Sequence, residues 1–321
     1  MGNYRISVQT ARWFEEKAPV ESIQYIKKCG FEAVDYNINS FFRAGFDEEN
    51  LTSFFDKSLE ELFEYYKPLR EVSVVNDVEF GQAHGILVIY HKGEPEKTEY
   101  LIQVTEKMIA VCEYLGCKSF VIHPWIGADY GADKEEEIAV NMWLYQRLIP
   151  AAKKYGVKIC LENLWAKRED EFVDAPCIQV EEACNYIDNL NQIAEEELFG
   201  FCLDVGHTQF YHYDICEFIE KLGNRLTVLH LHENDGIVDS HLVPYSLLSS
   251  CDKEKMIDWE KILKSLSDIS YKGNLSFETC RAIENVPAEV KKMTLEHISR
   301  IGKYFKERLQ GKSKKGHHLF E

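Results

Sequence analysis

The segment HLHENDGIVDSH, residues 230–241, holds three histidines and three acids: His230, His232, Glu233, Asp235, Asp239 and His241. Imidazole nitrogens and carboxylate oxygens are common ligands of divalent cations, and both groups can transfer protons in catalysis. The segment follows the apolar run LTVL at 226–229. A solvated loop accounts for the acids, but it accounts poorly for histidines at alternate positions at the end of a strand. Residues i and i+2 of a strand share a face, so His230 and His232 are expected to point the same way. One would bind an ion while the other supports it or touches substrate.

Residues of the same kind end other apolar runs. His84 ends VEFGQAH (78–84), His123 lies in SFVIHPW (119–125) and Glu162 in VKICLENLW (157–165). Asp204 and His207 end GFCLDVGH (200–207), and Glu278 ends NLSFET (274–279). A buried carboxylate must be paired or bound to a metal. Imidazoles that converge with three carboxylates form a divalent-metal site. The competing reading is a polar hydrogen-bond network that holds no ion.

The elements that must position these groups follow a regular order. Two further strands are expected at YRISVQT (4–10) and FEAVDYNI (31–38). Helical patterns cover about 20–30, 51–75, 98–116, 134–155, 178–197, 214–222, 258–268 and 286–309. Asp258 and Pro287 supply suitable helix starts. Eight strands, each followed by a helix, imply a parallel sheet. The count of eight in 321 residues predicts an α/β fold of the (β/α)8 TIM-barrel type. A single domain over 1–310 is expected, with a polar tail at 311–321. In such a barrel the active site lies at the C-terminal ends of the strands, where the candidate residues stand. No GxGxxG follows the first strand, which argues against a dinucleotide fold.

Bulk composition narrows the partners. Net charge is −17, from 37 basic against 54 acidic residues, which disfavours a non-specific grip on nucleic acid or an anionic membrane. The single basic run, KSKK at 312–315, reads as solvated tail. The opening MGNYRISVQT enters a strand pattern without a basic and apolar leader, and no apolar run approaches the length of a membrane span. The ten cysteines include no CxxC pair, as expected of reduced thiols in a cytoplasmic protein.

At these residues the chain resembles the xylose-isomerase-like barrel superfamily, which holds sugar and sugar-phosphate isomerases and epimerases and the endonuclease IV type of apurinic-site endonuclease. The resemblance rests on VEFGQAHG, VIHPW, ICLENL, GFCLDVGH, HLHEND, DSHLVP and LSFET, spanning 78–279. It implies that Glu162, Asp204, His230 and Glu278 hold one divalent ion, with His232 as the competing strand-seven ligand. Manganese is the first expectation, and cobalt, zinc or magnesium are alternatives. His207 resembles the substrate-contacting histidine of the family. His84, His123, Asp239 and His241 resemble the further ligands that give the endonucleases three zinc ions. Two departures stand out. Free-ketose 3-epimerases follow the strand-seven histidine with a glutamate and a substrate-gripping arginine, whereas this chain has His232-Glu-Asn-Asp-Gly. The PGxG-type turn of many relatives is replaced by YSLLSSCDKEKMIDW (245–259), which suggests an altered lid.

An ion on that set leaves room for two neighbouring oxygens of a hydroxy-ketone and stabilises the enediolate formed when the α-proton leaves. Glu162 and Glu278 come from different strands, so one can remove a proton and the other return one. The expected activity is therefore isomerisation or epimerisation of a sugar, a sugar phosphate or a related polyol ketone. A lyase or dehydratase that continues from the same proton abstraction to elimination is the nearest alternative. A three-zinc phosphodiesterase and a non-catalytic auxiliary barrel are the others. Trp125, Trp165, Tyr211 and Tyr245 are candidates to face a sugar ring. The absence of an obvious anion cradle leans toward an unphosphorylated substrate, with Arg43, Lys167, Arg168 and Arg281 as the residues able to overturn that. A small-molecule carbohydrate is the expected partner, with assembly into a homo-oligomer possible.

Overall fold

The computed structural model describes residues 4–14, 18–127, 133–247, 256–284 and 286–311. The KSKK tail and most of the 245–259 segment lie outside the described residues. Eight parallel strands run in the order β10 (Leu275–Phe277), β1 (Ile6–Gln9), β2 (Ala33–Tyr36), β3 (Glu79–His84), β4 (Ser119–Ile122), β5 (Lys158–Glu162), β8 (Phe199–Asp204) and β9 (Leu226–His230). The two ends of this sheet meet at a parallel bridge between Leu231 and Phe277. There the Leu231 N–H donates to Ser276 O at 2.8 Å and the Glu278 N–H donates to Leu231 O at 3.1 Å. The sheet is thus rolled into a nearly closed barrel. No helix among the described residues is long and apolar enough to cross a membrane.

The barrel is filled by side chains, as a parallel sheet covered on both faces requires. Val121, Cys160, Cys202 and Val228 form a buried cluster of their own. The principal core lies between strands and helices. α6 (Val180–Ala194) illustrates its construction: Val180, Ala183, Tyr186, Ile187, Leu190 and Ala194 recur at helical spacing and are all buried.

Local start and stop chemistry sets the helix ends. α1 (Pro19–Cys29) opens on proline and closes on Gly30 in the left-handed region, and α4 (Pro95–Leu115) does the same with Gly116. The helix expected over 51–75 begins later, as α3 (Leu59–Asn76), because Ser58 and Glu61 form a reciprocal capping box. α5 (Lys134–Tyr155), α9 (Trp259–Asp268) and α11 (Ala288–Leu309) lie within two residues of their expected ends.

Three short helices and a hairpin have no counterpart in the sequence reading. α2 (Asn39–Gly45) follows β2, α7 (Val205–Phe210) follows β8 and α10 (Cys280–Glu284) follows β10. The hairpin β6 (Ala166–Arg168) and β7 (Glu171–Val173) stands after β5. α8 (Ile215–Leu222) completes the set.

Candidate active site

Four strand ends bring one imidazole and three carboxylates together. Glu162 ends β5, Asp204 ends β8, His230 ends β9 and Glu278 follows β10. One ligand atom from each lies within 4.8 Å of the others. Register does the positioning, since Asp204 pairs with His230 across β8 and β9 and Glu162 pairs with Cys202 across β5 and β8. His230 is fully buried. Its Nδ1 stands 3.1 Å from Glu162 Oε1, 3.0 Å from Glu278 Oε2 and 3.9 Å from Asp204 Oδ2.

The other face of that ring is held by a residue the sequence did not single out. His230 Nε2 lies 3.0 Å from Asp35 Oδ2 on β2, off the line of an ideal hydrogen bond. Asp35 is itself fully buried and accepts a 3.0 Å hydrogen bond from Gln82 Nε2. Gln9 on β1 donates to Glu278 Oε1. Gln9, Asp35 and Gln82 are in register across β1, β2 and β3, so one row of polar side chains supports the cluster. The available signal was Asp35 in the middle of the strand pattern FEAVDYNI, between Val34 and Tyr36.

His232 does not join the four. Its Nε2 lies 3.1 Å from both oxygens of Asp204, and its ring stacks on His241 with centroids 4.3 Å apart. His232, Asp239 and His241 form a second convergent group, and His84, His123 and Glu162 a third. In the third, His84 Nε2 and His123 Nε2 stand 3.4 and 3.2 Å from Glu162 Oε2. His207 lies on α7 rather than on the strand. There its N–H donates to Asp204 Oδ1 at 2.7 Å, and its Nδ1 is 2.8 Å from Asn163 O.

The opening segment therefore divides into tasks. His230 meets Glu162 and Glu278, while His232 meets Asp204 and stacks on His241, which pairs with Asp239. Glu233 instead accepts hydrogen bonds from the Tyr245 N–H at 3.1 Å and Trp259 Nε1 at 2.8 Å, which ties down both sides of the segment between them. Asp235 accepts from the backbone N–H groups of Ile237 and Val238 and shapes a turn.

Electrostatics reflect this crowding. Burial raises the Glu162 carboxyl, but the imidazoles of His230 and His123 outweigh it and hold it well below the usual range. For Asp204 burial is likewise overcome, by His207 and His232, and its pKa is lowered. Burial opposes the His230 imidazolium, yet Cys202, Glu278 and Glu162 push its pKa well above that of a free imidazole. His241 is pushed up to about 9, because Glu278 and Asp239 outweigh its burial.

Three buried carboxylates around one imidazole nitrogen are a costly arrangement without a cation. Glu162 Oε2 is buried and accepts no hydrogen bond, as a ligand oxygen would be left. One nitrogen and three oxygens suit a hard to borderline divalent ion. The residues present fit such an ion, and Asp35 stands where the outer partner of a metal-bound histidine stands.

Above the cluster opens a cleft of about 280 Å³ lined by Glu162, Glu278, His84, His123, His207, Asp239 and His241. Trp165 also lines it. Trp125 does not: its ring packs edge-on against Tyr90, and its backbone N–H donates to Asn141 Oδ1. Tyr211 pins the β6–β7 hairpin through Val173 O and the Ala166 N–H. Lys167 lies outside the cleft lining, over the Phe172 ring, with Nζ donating to Ile237 O. Arg43 and Arg281 do reach the cleft, together with Arg12.

The fold recurs in solved structures. A D-tagatose 3-epimerase-like protein superposes with TM-score 0.66 at 20% identity, covering 96% of this chain and 99% of that one. The 3-keto-D-glucoside 4-epimerase of E. coli gives 0.67 at 15%, covering 93% and 100%. A D-psicose 3-epimerase gives 0.68 at 15%, covering 96% and 99%. Among curated proteins, an uncharacterised protein of Sinorhizobium fredii is 31% identical over 83 residues, 26% of this chain and 24% of that protein. An uncharacterised protein of Methanocaldococcus jannaschii is 26% identical over 184 residues, 56% and 57% respectively. The chain thus spans about a quarter and just over half of the curated relatives it matches. The sequence profile of the xylose isomerase-like TIM barrel matches residues 23–299. That stretch carries every strand from β2 to β10 and all four converging residues, and the chain belongs to the xylose isomerase-like TIM barrel family.

Proposed function

We propose that the protein is a divalent-metal-dependent isomerase or epimerase of a sugar, sugar phosphate or related polyol ketone. One observation carries this reading. Glu162 and Glu278, from β5 and from just after β10, both approach His230 Nδ1 to about 3 Å and both line the cleft. Two carboxylates that meet at one point and face one cavity are suited to removing a proton from a substrate carbon and returning one. The sugar epimerases among the structural neighbours agree with that chemistry.

Glu162, Asp204, His230 and Glu278 would hold the ion. Once bound, it would act as a Lewis acid on the substrate carbonyl and lower the cost of removing the adjacent proton. The chain's own part is positional. Asp35 and Gln82 fix the His230 ring, and Gln9 fixes Glu278. His207 stands at the cleft wall, in place to contact a substrate hydroxyl. Trp165 offers an apolar face to a sugar ring.

The test is solvent deuterium incorporation next to the carbonyl in a panel of keto sugars, using protein loaded with manganese. Exchange into at least one keto sugar, with the label retained in an isomer or epimer, is the expected result. Exchange followed by loss of a neighbouring substituent would move the assignment to a lyase. No exchange in any member would sink the proton-transfer reading.

A second reading draws on the two further groups, His84–His123–Glu162 and His232–Asp239–His241. Three such groups around one cleft would suit a three-zinc phosphodiesterase. The net charge of −17 opposes a nucleic-acid substrate. Metal content by mass spectrometry separates the two, with one ion per chain for the isomerase and about three zinc ions for the phosphodiesterase.

A further inference from the structure

The cleft is not uniform around its rim. β10, β1 and β2 are neighbours in the barrel, and the segment after each contributes one arginine to the cleft. Arg12 follows β1, Arg43 lies on α2 after β2, and Arg281 lies on α10 after β10. Among the described residues no lysine lines the cleft. The metal-type ligands instead stand mainly after β3, β4, β5, β8 and β9. One arc of the mouth is therefore cationic in a chain of net charge −17.

These arginines are not consumed by the carboxylates below them. Arg12 Nη1 donates to Glu284 Oε2 at 2.7 Å. Arg43 and Arg281 have no ion-pair partner among the described residues. Arg12 and Arg281 both act electrostatically on the Cys280 thiol, which lines the same cleft. Arg12 also holds φ at +68°, a region costly for a side chain with a Cβ and kept where surrounding structure demands it. The Trp13 indole N–H, donating to Gln9 O at 2.7 Å, anchors that turn.

Arginine in place of lysine has chemical meaning, because the planar guanidinium fork matches the paired oxygens of a carboxylate or phosphate. We propose that the arc formed by Arg12, Arg43 and Arg281 is an anion subsite, and that the substrate is a sugar carrying a carboxylate or phosphate. This inference rests on the isomerase reading for the reaction and adds the charge class of the substrate. Sequence shows no anion cradle, whereas the folded chain brings three arginines to one cleft.

Binding of non-reacting ligands tests it apart from catalysis. Calorimetry on the manganese-loaded full chain would compare sorbitol, sorbitol 6-phosphate and gluconate. At least one anion is expected to bind about tenfold or more tighter than sorbitol, the scale of one charge-assisted hydrogen bond. The anion that gains identifies phosphate or carboxylate as the group recognised. Arg43→Ala and Arg281→Ala should each remove most of that advantage. Arg281→Lys, which keeps the charge and loses the fork, should remove part of it. Equal binding of all three ligands overturns the subsite, as does an advantage that survives in the Arg43→Ala/Arg281→Ala double variant with native circular dichroism. Deuterium exchange reports the reaction separately. Exchange into neutral keto sugars with no anion preference ends this inference and keeps the isomerase. An anion preference without exchange into any keto sugar keeps the subsite and ends the isomerase.

Discussion

His230 and Asp35 face each other inside the barrel, with Nε2 3.0 Å from Oδ2 and both side chains fully buried. The contact fixes which imidazole nitrogen is left for the carboxylate cluster. Asp35→Asn should therefore weaken manganese affinity by about 10–100-fold, the usual effect of removing an outer partner of a histidine ligand. Chelator competition would measure it. His230→Ala should weaken affinity more than His232→Ala, and the reverse order would move the strand-nine ligand to His232.

Glu162→Gln and Glu278→Gln keep side-chain size and remove the base. Each should slow deuterium exchange by about 10²–10⁴-fold while circular dichroism stays native. Near-wild-type exchange in either variant removes that residue from proton transfer.

In the metal-free protein the raised histidines should give stability an unusual slope with pH. The folded-state pKa of His241 is pushed up to about 9 from 6.5, so its protonated form is favoured in the folded state. Its contribution is complete below about 6.5 and is lost as pH rises to about 9. His84, His207 and His230 shift in the same direction. Tm of chelated protein should fall across this window, and His241→Gln should flatten part of the fall. Saturating divalent ion replaces those protons and should flatten it further.

Gly206 leaves room for His232. A Cβ at that position would lie 2.0 Å from His232 Cε1. Gly206→Ala should push the ring off Asp204 and cost about 1–3 kcal/mol, as overpacking does, read from the midpoint of chemical denaturation. An unchanged midpoint would mean that the His232 ring moves freely.

Much of this site is legible in sequence because it sits at strand ends. Glu162, Asp204, His230 and Glu278 each close an apolar run, and a parallel barrel gathers such ends on one face. The row Gln9, Asp35 and Gln82 was not legible. These residues lie within strands, and only the register among β1, β2 and β3 brings them under His230. The hairpin at 166–173 and the five-residue α10 were also missed, since such short pieces carry too little periodicity to read.

Sequence alone determined the alternating β/α order and the residue types at the barrel mouth. Those follow from local patterning, with period 2 in strands and 3.6 in helices, and from side-chain chemistry. Tertiary structure decided that His230 meets Glu162 and Glu278 while His232 meets Asp204, and that Asp35 stands behind the His230 ring. It also decided that Arg12, Arg43 and Arg281, from segments far apart in the chain, share one arc of the cleft. Barrel closure between β9 and β10 sets those relations, and closure is a property of the whole sheet that no local window contains.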